Sequence, residues 1–145
     1  HTDNRRQRQM CIRDSRNSFS DWIIKSLRES KSIKLFSDVY FTPIYIKELV
    51  NIIHILLNKK KYGIYNIVSN ERISKFNFGI KIAKIFGYPI SLIRPISIDE
   101  LNFLVSRPKD MSLSTKKISN DLNLQLKSIE DQLLDLKNEK KRLKI

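Results

Sequence analysis

The chain has 145 residues, of which 41% are hydrophobic, and a formal net charge of +13. No run of about 18 apolar residues occurs, so the sequence predicts no membrane-spanning helix. The single cysteine, Cys11, excludes an internal disulfide, and we predict a cytoplasmic protein. The basic charge could indicate a nucleic-acid partner, but lysines scattered through an Ile- and Asn-rich sequence are explained about as well by a coding bias.

The first fifteen residues differ in composition from everything after them. Residues 5–15 read RRQRQMCIRDS and hold four arginines and Cys11. A basic DNA-binding arm is one interpretation of this string. The string also resembles the translation of a transposase-type sequencing adapter, and we favour that interpretation. It predicts that residues 1–15 are a disordered artefact packing on nothing, and that 16–145 are one partial lobe of a longer protein.

The first half of the remaining sequence alternates between helical and extended patterns. Apolar residues at spacings of three and four predict a helix over 17–31, and a short strand follows over 32–38. A second apolar face predicts a helix over 42–61, which ends in a lysine-rich turn. Residues 62–69 read as a strand. A third helix over 73–87 is expected to be capped by Ser74 and to stop near Gly87.

The second half continues the alternation. We predict a strand over 90–97, a short helical turn within 98–106 and a loop over 107–115. Two helices follow, over 115–123 and 128–144, and the last is acidic early and basic late, as the helix dipole favours. Strands alternating with helices indicate an α/β fold.

Four short motifs follow one another along the chain. They are the turn Asp38 to Tyr45, the strand Gly63 to Asn66, the helix start Ser74, Phe76 and Phe78, and the segment Arg107, Pro108, Leu113, Ser114 and Lys117. In this order they resemble the C-terminal part of the extended short-chain dehydrogenase/reductases, in particular the RmlD-like branch of dTDP-4-dehydrorhamnose reductase-like enzymes. The resemblance covers roughly residues 17–138. It implies the substrate-binding lobe of a Rossmann-type enzyme whose N-terminal cofactor domain is missing.

The resemblance implies that the parent enzyme reduces a dTDP-4-keto-sugar with NAD(P)H. That chemistry needs a Tyr-x-x-x-Lys pair, in which the lysine lowers the tyrosine pKa, and a glycine-rich turn for the cofactor pyrophosphate. None of the five tyrosines is followed by lysine four positions later, and the three glycines lack the required spacing. We therefore expect this chain to bind no cofactor and to be inactive by itself.

Three residues are candidates for binding the nucleotide-sugar substrate. By the resemblance, Arg107 contacts the substrate diphosphate, for which a planar guanidinium is well suited, although a surface arginine is the alternative. Asn17 opens the first helix, where the family often places a substrate contact, but it could equally be an N-cap. Asp110, and more weakly Lys117, are further candidates, although charged residues of this kind are usually solvated.

Several alternatives remain at this stage. The chain could belong to a nucleotide-sugar epimerase or dehydratase of the same superfamily, or it could be a basic nucleic-acid-binding domain, although no nucleic-acid motif occurs. We predict no metal site, because His54 lacks neighbours with ligand spacing. We read Trp22, Phe76 and Phe78 as core residues. Apolar helix surface left exposed on this lobe predicts poor solubility or a homo-oligomer.

Overall fold

The computed structural model describes residues 18–101 and 107–143. Asn17, Cys11 and the predicted artefact over 1–15 lie outside the described residues. The described helices are α1 (Phe19–Arg28), α2 (Ile46–Asn58), α3 (Lys75–Phe86), α4 (Lys116–Leu122) and α5 (Ile129–Leu143). The strands are β1 (Ile33–Phe36), β2 (Tyr40–Phe41), β3 (Ile73–Ser74) and β4 (Ile93–Ile96), and 3-10 turns cover Ile90–Leu92 and Ile98–Glu100.

The strands form two small sheets. β1 pairs with β4 in parallel, with Ile33 opposite Ile93, and β2 pairs with β3 antiparallel. Helix α3 crosses the parallel pair so closely that a Cβ atom at Gly79 would overlap the Leu35 side chain. This crossing brings the start of α3 next to the carboxyl end of β1. The predicted α/β class is confirmed.

Local sequence signals determine where the helices begin and end. The Ser18 hydroxyl accepts the Asp21 N–H at 3.1 Å and caps α1, and the Ser74 hydroxyl accepts the Asn77 N–H at 3.1 Å and caps α3. Gly87 ends α3 with φ of 80°, a left-handed conformation that favours glycine. The predicted cap and stop of α3 are therefore confirmed.

The strand predicted over 62–69 is wrong. Within the part of the chain that the structure describes, no strand runs beside these residues, and none of them belongs to a sheet. The residue types favour an extended backbone, but a strand exists only through hydrogen bonds to a neighbouring strand. The sequence pattern could not show whether such a neighbour was present.

Two apolar clusters hold these elements together. The larger one joins α1, α3 and α5 to the parallel strands, with Phe41 and Phe78 packed edge-to-face at its centre. The smaller one joins α2 to α4 and the residues after it.

Two buried residues, Tyr45 and Gln132, link the start of α2 to α5. The Tyr45 N–H donates to Gln132 Oε1 at 2.8 Å, and Gln132 Nε2 donates to the Lys127 carbonyl at 2.9 Å. Tyr45, the last residue of the motif Asp38 to Tyr45, therefore has a structural role in joining the two helices.

Helix α2 keeps an apolar stripe in contact with solvent. The stripe repeats at spacings of four, three and four residues and consists of Ile46, Val50, Ile53 and Leu57. The expectation that apolar helix surface is left exposed is therefore confirmed for α2. On α1 the exposed apolar side chain is Trp22. The consequence predicted from that surface, poor solubility or self-association, stays a prediction.

Candidate functional site

The carboxyl ends of the parallel strands bring three segments of the chain together. Asp38 follows β1 and accepts hydrogen bonds from the Ser97 hydroxyl at 2.7 Å and the Ile98 N–H at 2.9 Å. Lys109 lies 3.3 Å from the same carboxylate. The Ile98 N–H and the Ser97 hydroxyl, with Lys109, lower the Asp38 pKa below its ordinary value. Asp38 thus fastens the segment that carries Arg107 to the end of the sheet.

Lys75, the first residue of α3, lies beside this edge in an unusual environment. It is half-buried, and its ammonium lies 5.5 Å from the Phe19 ring centroid and 5.9 Å from that of Phe36. Burial, with the positive charge of Arg107 in addition, lowers the Lys75 pKa. In residues 18–101 and 107–143 no carboxylate forms an ion pair with Lys75. A cation without a carboxylate partner at the positive end of a helix favours an anion.

Aromatic rings form an apolar wall next to this positive charge. Phe19 stacks nearly parallel to Trp22, with 6.1 Å between ring centroids, and to Phe78, with 6.0 Å between ring centroids. Phe78 is core, as predicted, with 1% of its surface exposed. Trp22 stacks on Phe19 but is 44% exposed, so its assignment to the core is wrong. A flat, partly exposed ring can pack against a sugar or base.

The predicted site residues are not all placed at this surface. Arg107 is exposed and acts electrostatically on Lys75. Asp110, three residues later, instead pairs with Arg72, whose Nε and second guanidinium nitrogen donate at 2.9 and 2.8 Å. Lys117 donates to the Ile64 carbonyl at 2.9 Å, and this contact involves none of the residues around Lys75. Asn17 lies outside the described residues. The substrate contacts assigned to these residues stay predictions.

Asp110 also organises the loop that contains it. Its carboxylate accepts the Ser112 N–H at 2.9 Å and the Ser112 hydroxyl at 2.6 Å. The neighbouring backbone is bound to β2, since the Tyr40 N–H donates to the Lys109 carbonyl at 2.7 Å. The Arg72 guanidinium lies 3.6 Å above the Tyr40 ring. Ser112, followed by Arg72, lowers the Asp110 pKa to about 2.

These contacts predict a pH dependence of stability. A carboxyl group whose pKa is lowered on folding stabilises the fold above its unfolded pKa of about 3.9, and that stabilisation is lost as the pH falls through about 2. We expect Asp110→Asn to lower the melting temperature at pH 6, and the difference from wild type to disappear near pH 2. Thermal unfolding at both pH values measures this. Ser112→Ala should move the loss to higher pH, and an equal difference at both pH values would contradict the assignment.

Sequence reasoning missed Lys75. The sequence did contain one indication: Lys75 directly follows Ser74, the predicted N-cap of α3. A side chain at the first position of a helix is directed toward the helix N-terminus. The electrostatic interaction of Lys75 with Arg107, 32 positions away by residue number, has no sequence signal.

The three glycines do not fit a dinucleotide cofactor. Gly79 lies inside α3 against Leu35, Gly87 ends α3, and Gly63 follows α2 with φ of 121°. None of them opens a helix, so none provides the turn that a pyrophosphate needs.

Among the described residues no group of His, Cys, Asp and Glu could hold a metal ion, and His54 is exposed. No helix in the described ranges is long and apolar enough to cross a membrane.

Comparison with known proteins relates the chain to one family. The model of the RmlD substrate binding domain matches residues 11–141. A probable low-salt glycan biosynthesis reductase, Agl14 of Haloferax volcanii, is 24% identical over 118 residues, which are 81% of this chain and 39% of that protein.

Solved structures show the same fold. The dTDP-4-dehydrorhamnose reductase of Bacillus anthracis, in complex with NADP, matches 90% of this chain and 46% of its own with a TM-score of 0.80 and 24% identity. The orthologue from Clostridium acetobutylicum matches 94% and 47% with a TM-score of 0.78 and 17% identity. This chain therefore spans less than half the length of these relatives.

Proposed function

The chain belongs to the family of RmlD substrate-binding domains, and we propose that it binds the nucleotide-sugar substrate of an NAD(P)H-dependent reductase of the dTDP-4-dehydrorhamnose reductase type. The observation that carries the proposal is the half-buried Lys75, whose ammonium lies 5.5 and 5.9 Å from the ring centroids of Phe19 and Phe36 and which forms no ion pair with a carboxylate of the described residues. Arg107 acts electrostatically on the same ammonium. A diphosphate would neutralise the Lys75 ammonium and could also accept hydrogen bonds from the Arg107 guanidinium.

Each part of this surface has a distinct role in the proposal. Arg107 can hold two phosphate oxygens at once through its planar guanidinium, and Lys75 supplies a point charge from the side of α3. The rings of Phe36, Phe19 and Trp22 offer apolar surface to the sugar or the base. Asp38 positions the Arg107 segment through Lys109. The arrangement binds and orients a substrate.

Hydride transfer itself lies outside this proposal for the chain. The sequence contains neither a Tyr-x-x-x-Lys pair nor a glycine-rich turn. Its three glycines lie inside α3, at the end of α3 and after α2, where none of them opens a helix. We propose that the reductase activity, with its cofactor, needs residues that this sequence does not contain. The 145-residue chain alone should show no NAD(P)H oxidation with any keto-sugar nucleotide.

Calorimetric titration of the chain with dTDP, dTDP-glucose and thymidine tests the proposal. We expect the two diphosphates to bind and thymidine, which lacks phosphate, not to bind measurably. Random duplex DNA serves as the opposing probe, because a nucleic-acid-binding domain would bind it tightly and with a steep salt dependence. Tight DNA binding that dTDP-glucose does not displace would overturn the proposal in favour of the nucleic-acid function.

A further inference from the structure

Four lysines of the described residues are half-buried, and three of them have a partner. Lys81 and Lys140 each form an ion pair with a carboxylate, at 3.5 and 2.7 Å, and Lys137 donates a hydrogen bond to a backbone carbonyl. The fourth is Lys75, whose ammonium forms neither a hydrogen bond nor an ion pair with any residue in 18–101 or 107–143. An ammonium that loses hydration without gaining a partner is destabilised relative to the neutral amine.

The groups around Lys75 compensate little of that lost hydration. The ring centroids of Phe19 and Phe36 lie 5.5 and 5.9 Å from the ammonium, close to the limit of about 6 Å for a cation–π interaction. Burial, and in addition the positive charge of Arg107, lower the pKa of Lys75. A lysine that is desolvated and influenced by another cation is a stronger nucleophile near neutral pH than a solvated lysine. Because Lys75 is only half-buried, a reagent can still reach it.

A neutral amine of this kind reacts with carbonyl compounds. We propose that Lys75 is a modification site, at which aldehydes that carry a phosphate group form an imine with the side-chain amine. The amine nitrogen adds to the carbonyl carbon and forms the new C–N bond. The carbonyl oxygen then leaves as water, with the two amine protons, and neither reactant is oxidised or reduced. The phosphate belongs to the proposal because the positive charge of Arg107 attracts it.

Pyridoxal phosphate is the probe for this site, because borohydride converts its imine into a stable amine that peptide mass spectrometry can locate. Helix α3 supplies two controls in the same molecule: Lys81 is half-buried but ion-paired, and Lys84 is exposed. With less than one equivalent of probe at neutral pH, we expect the label on Lys75 and little on either control. Lys75→Arg keeps the positive charge but cannot form the imine, so this labelled peptide should be lost. Labelling of Lys81 or Lys84 equal to that of Lys75 would overturn the proposal.

Pyridoxal, which lacks the phosphate, tests the class of aldehyde. We expect it to label Lys75 more slowly than pyridoxal phosphate does, because it gains no attraction from Arg107. Arg107→Ala should remove most of the difference between the two probes. Equal labelling rates for the two probes in the wild-type chain would contradict the proposed preference for a phosphate.

The modification site involves the same surface as the proposed function but does not depend on it. If dTDP binds at Lys75, saturating dTDP should protect the amine from pyridoxal phosphate. Preferred labelling of Lys75 that dTDP does not reduce would contradict the proposed function and leave the modification site standing. Binding of dTDP without preferred labelling of Lys75 would overturn the modification site and leave the proposed function standing.

Discussion

Arg107→Ala and Lys75→Met should each weaken dTDP binding about ten- to a hundredfold. A hydrogen bond to a charged group contributes roughly 1.5–3 kcal/mol, and about 1.4 kcal/mol corresponds to a factor of ten. Lys75→Met preserves most of the side-chain volume above Phe19 and Phe36, so it removes the charge with little change in packing. Calorimetric titration with dTDP measures the loss.

The control for this pair is Lys84→Met. Lys84 lies in the last turn of the same helix and is exposed, and the substitution changes the net charge of the chain by the same amount. We expect it to leave dTDP affinity within about twofold of wild type, because exposed charges at a distance are screened by salt. An equal loss in Lys84→Met would show that net charge, not the site, governs binding.

The pH dependence of binding separates the two cations. Burial and Arg107 lower the pKa of Lys75, so Lys75 loses its proton, and with it the attraction for phosphate, at a lower pH than an ordinary lysine. We therefore expect dTDP affinity to fall as the pH is raised toward the lysine range. Lys75→Arg, which stays protonated, should remove that fall. A wild-type profile unchanged in Lys75→Arg would exclude Lys75 as its cause.

Phe78→Ala should cost about 3–5 kcal/mol of unfolding free energy, enough to unfold a marginal domain. Phe78 is buried at the centre of the larger cluster, between Phe19 and Phe41, and truncation would leave a cavity that three elements line. Urea unfolding measures the cost.

Trp22→Ala is the matched aromatic control. Trp22 stacks on the same Phe19 ring and is 44% exposed, so we expect its removal to leave no closed cavity. We expect a cost of about 1 kcal/mol or less. Equal costs for the two variants would mean that the aromatic stack, not the burial of Phe78, stabilises this cluster.

Much of the local structure could be predicted from the sequence. Ser74 and Gly87 mark the ends of α3 because a serine hydroxyl can accept a first-turn N–H and glycine readily adopts positive φ. The matched motifs also indicated the family correctly, and the resemblance pointed to Arg107 as a candidate. These signals are local: each depends on the chemistry of a few neighbouring residues, so they can be read without knowing the fold.

Contacts between distant segments could not be predicted in this way. Residues 62–68 have the composition of a strand, but sheet formation depends on whether another strand lies alongside, and among the described residues none does. Asp110 was a candidate substrate contact, yet the fold places Arg72 beside it. The fold makes Lys75 a candidate, because α3 crosses β1 and places its first residue 5.9 Å from the Phe36 ring centroid, within the electrostatic influence of Arg107. The sequence by itself determined the helices, the cap and stop of α3, and the family. The tertiary structure alone decided which charges meet and which backbone stays unpaired, because those depend on distances between segments that no local pattern encodes.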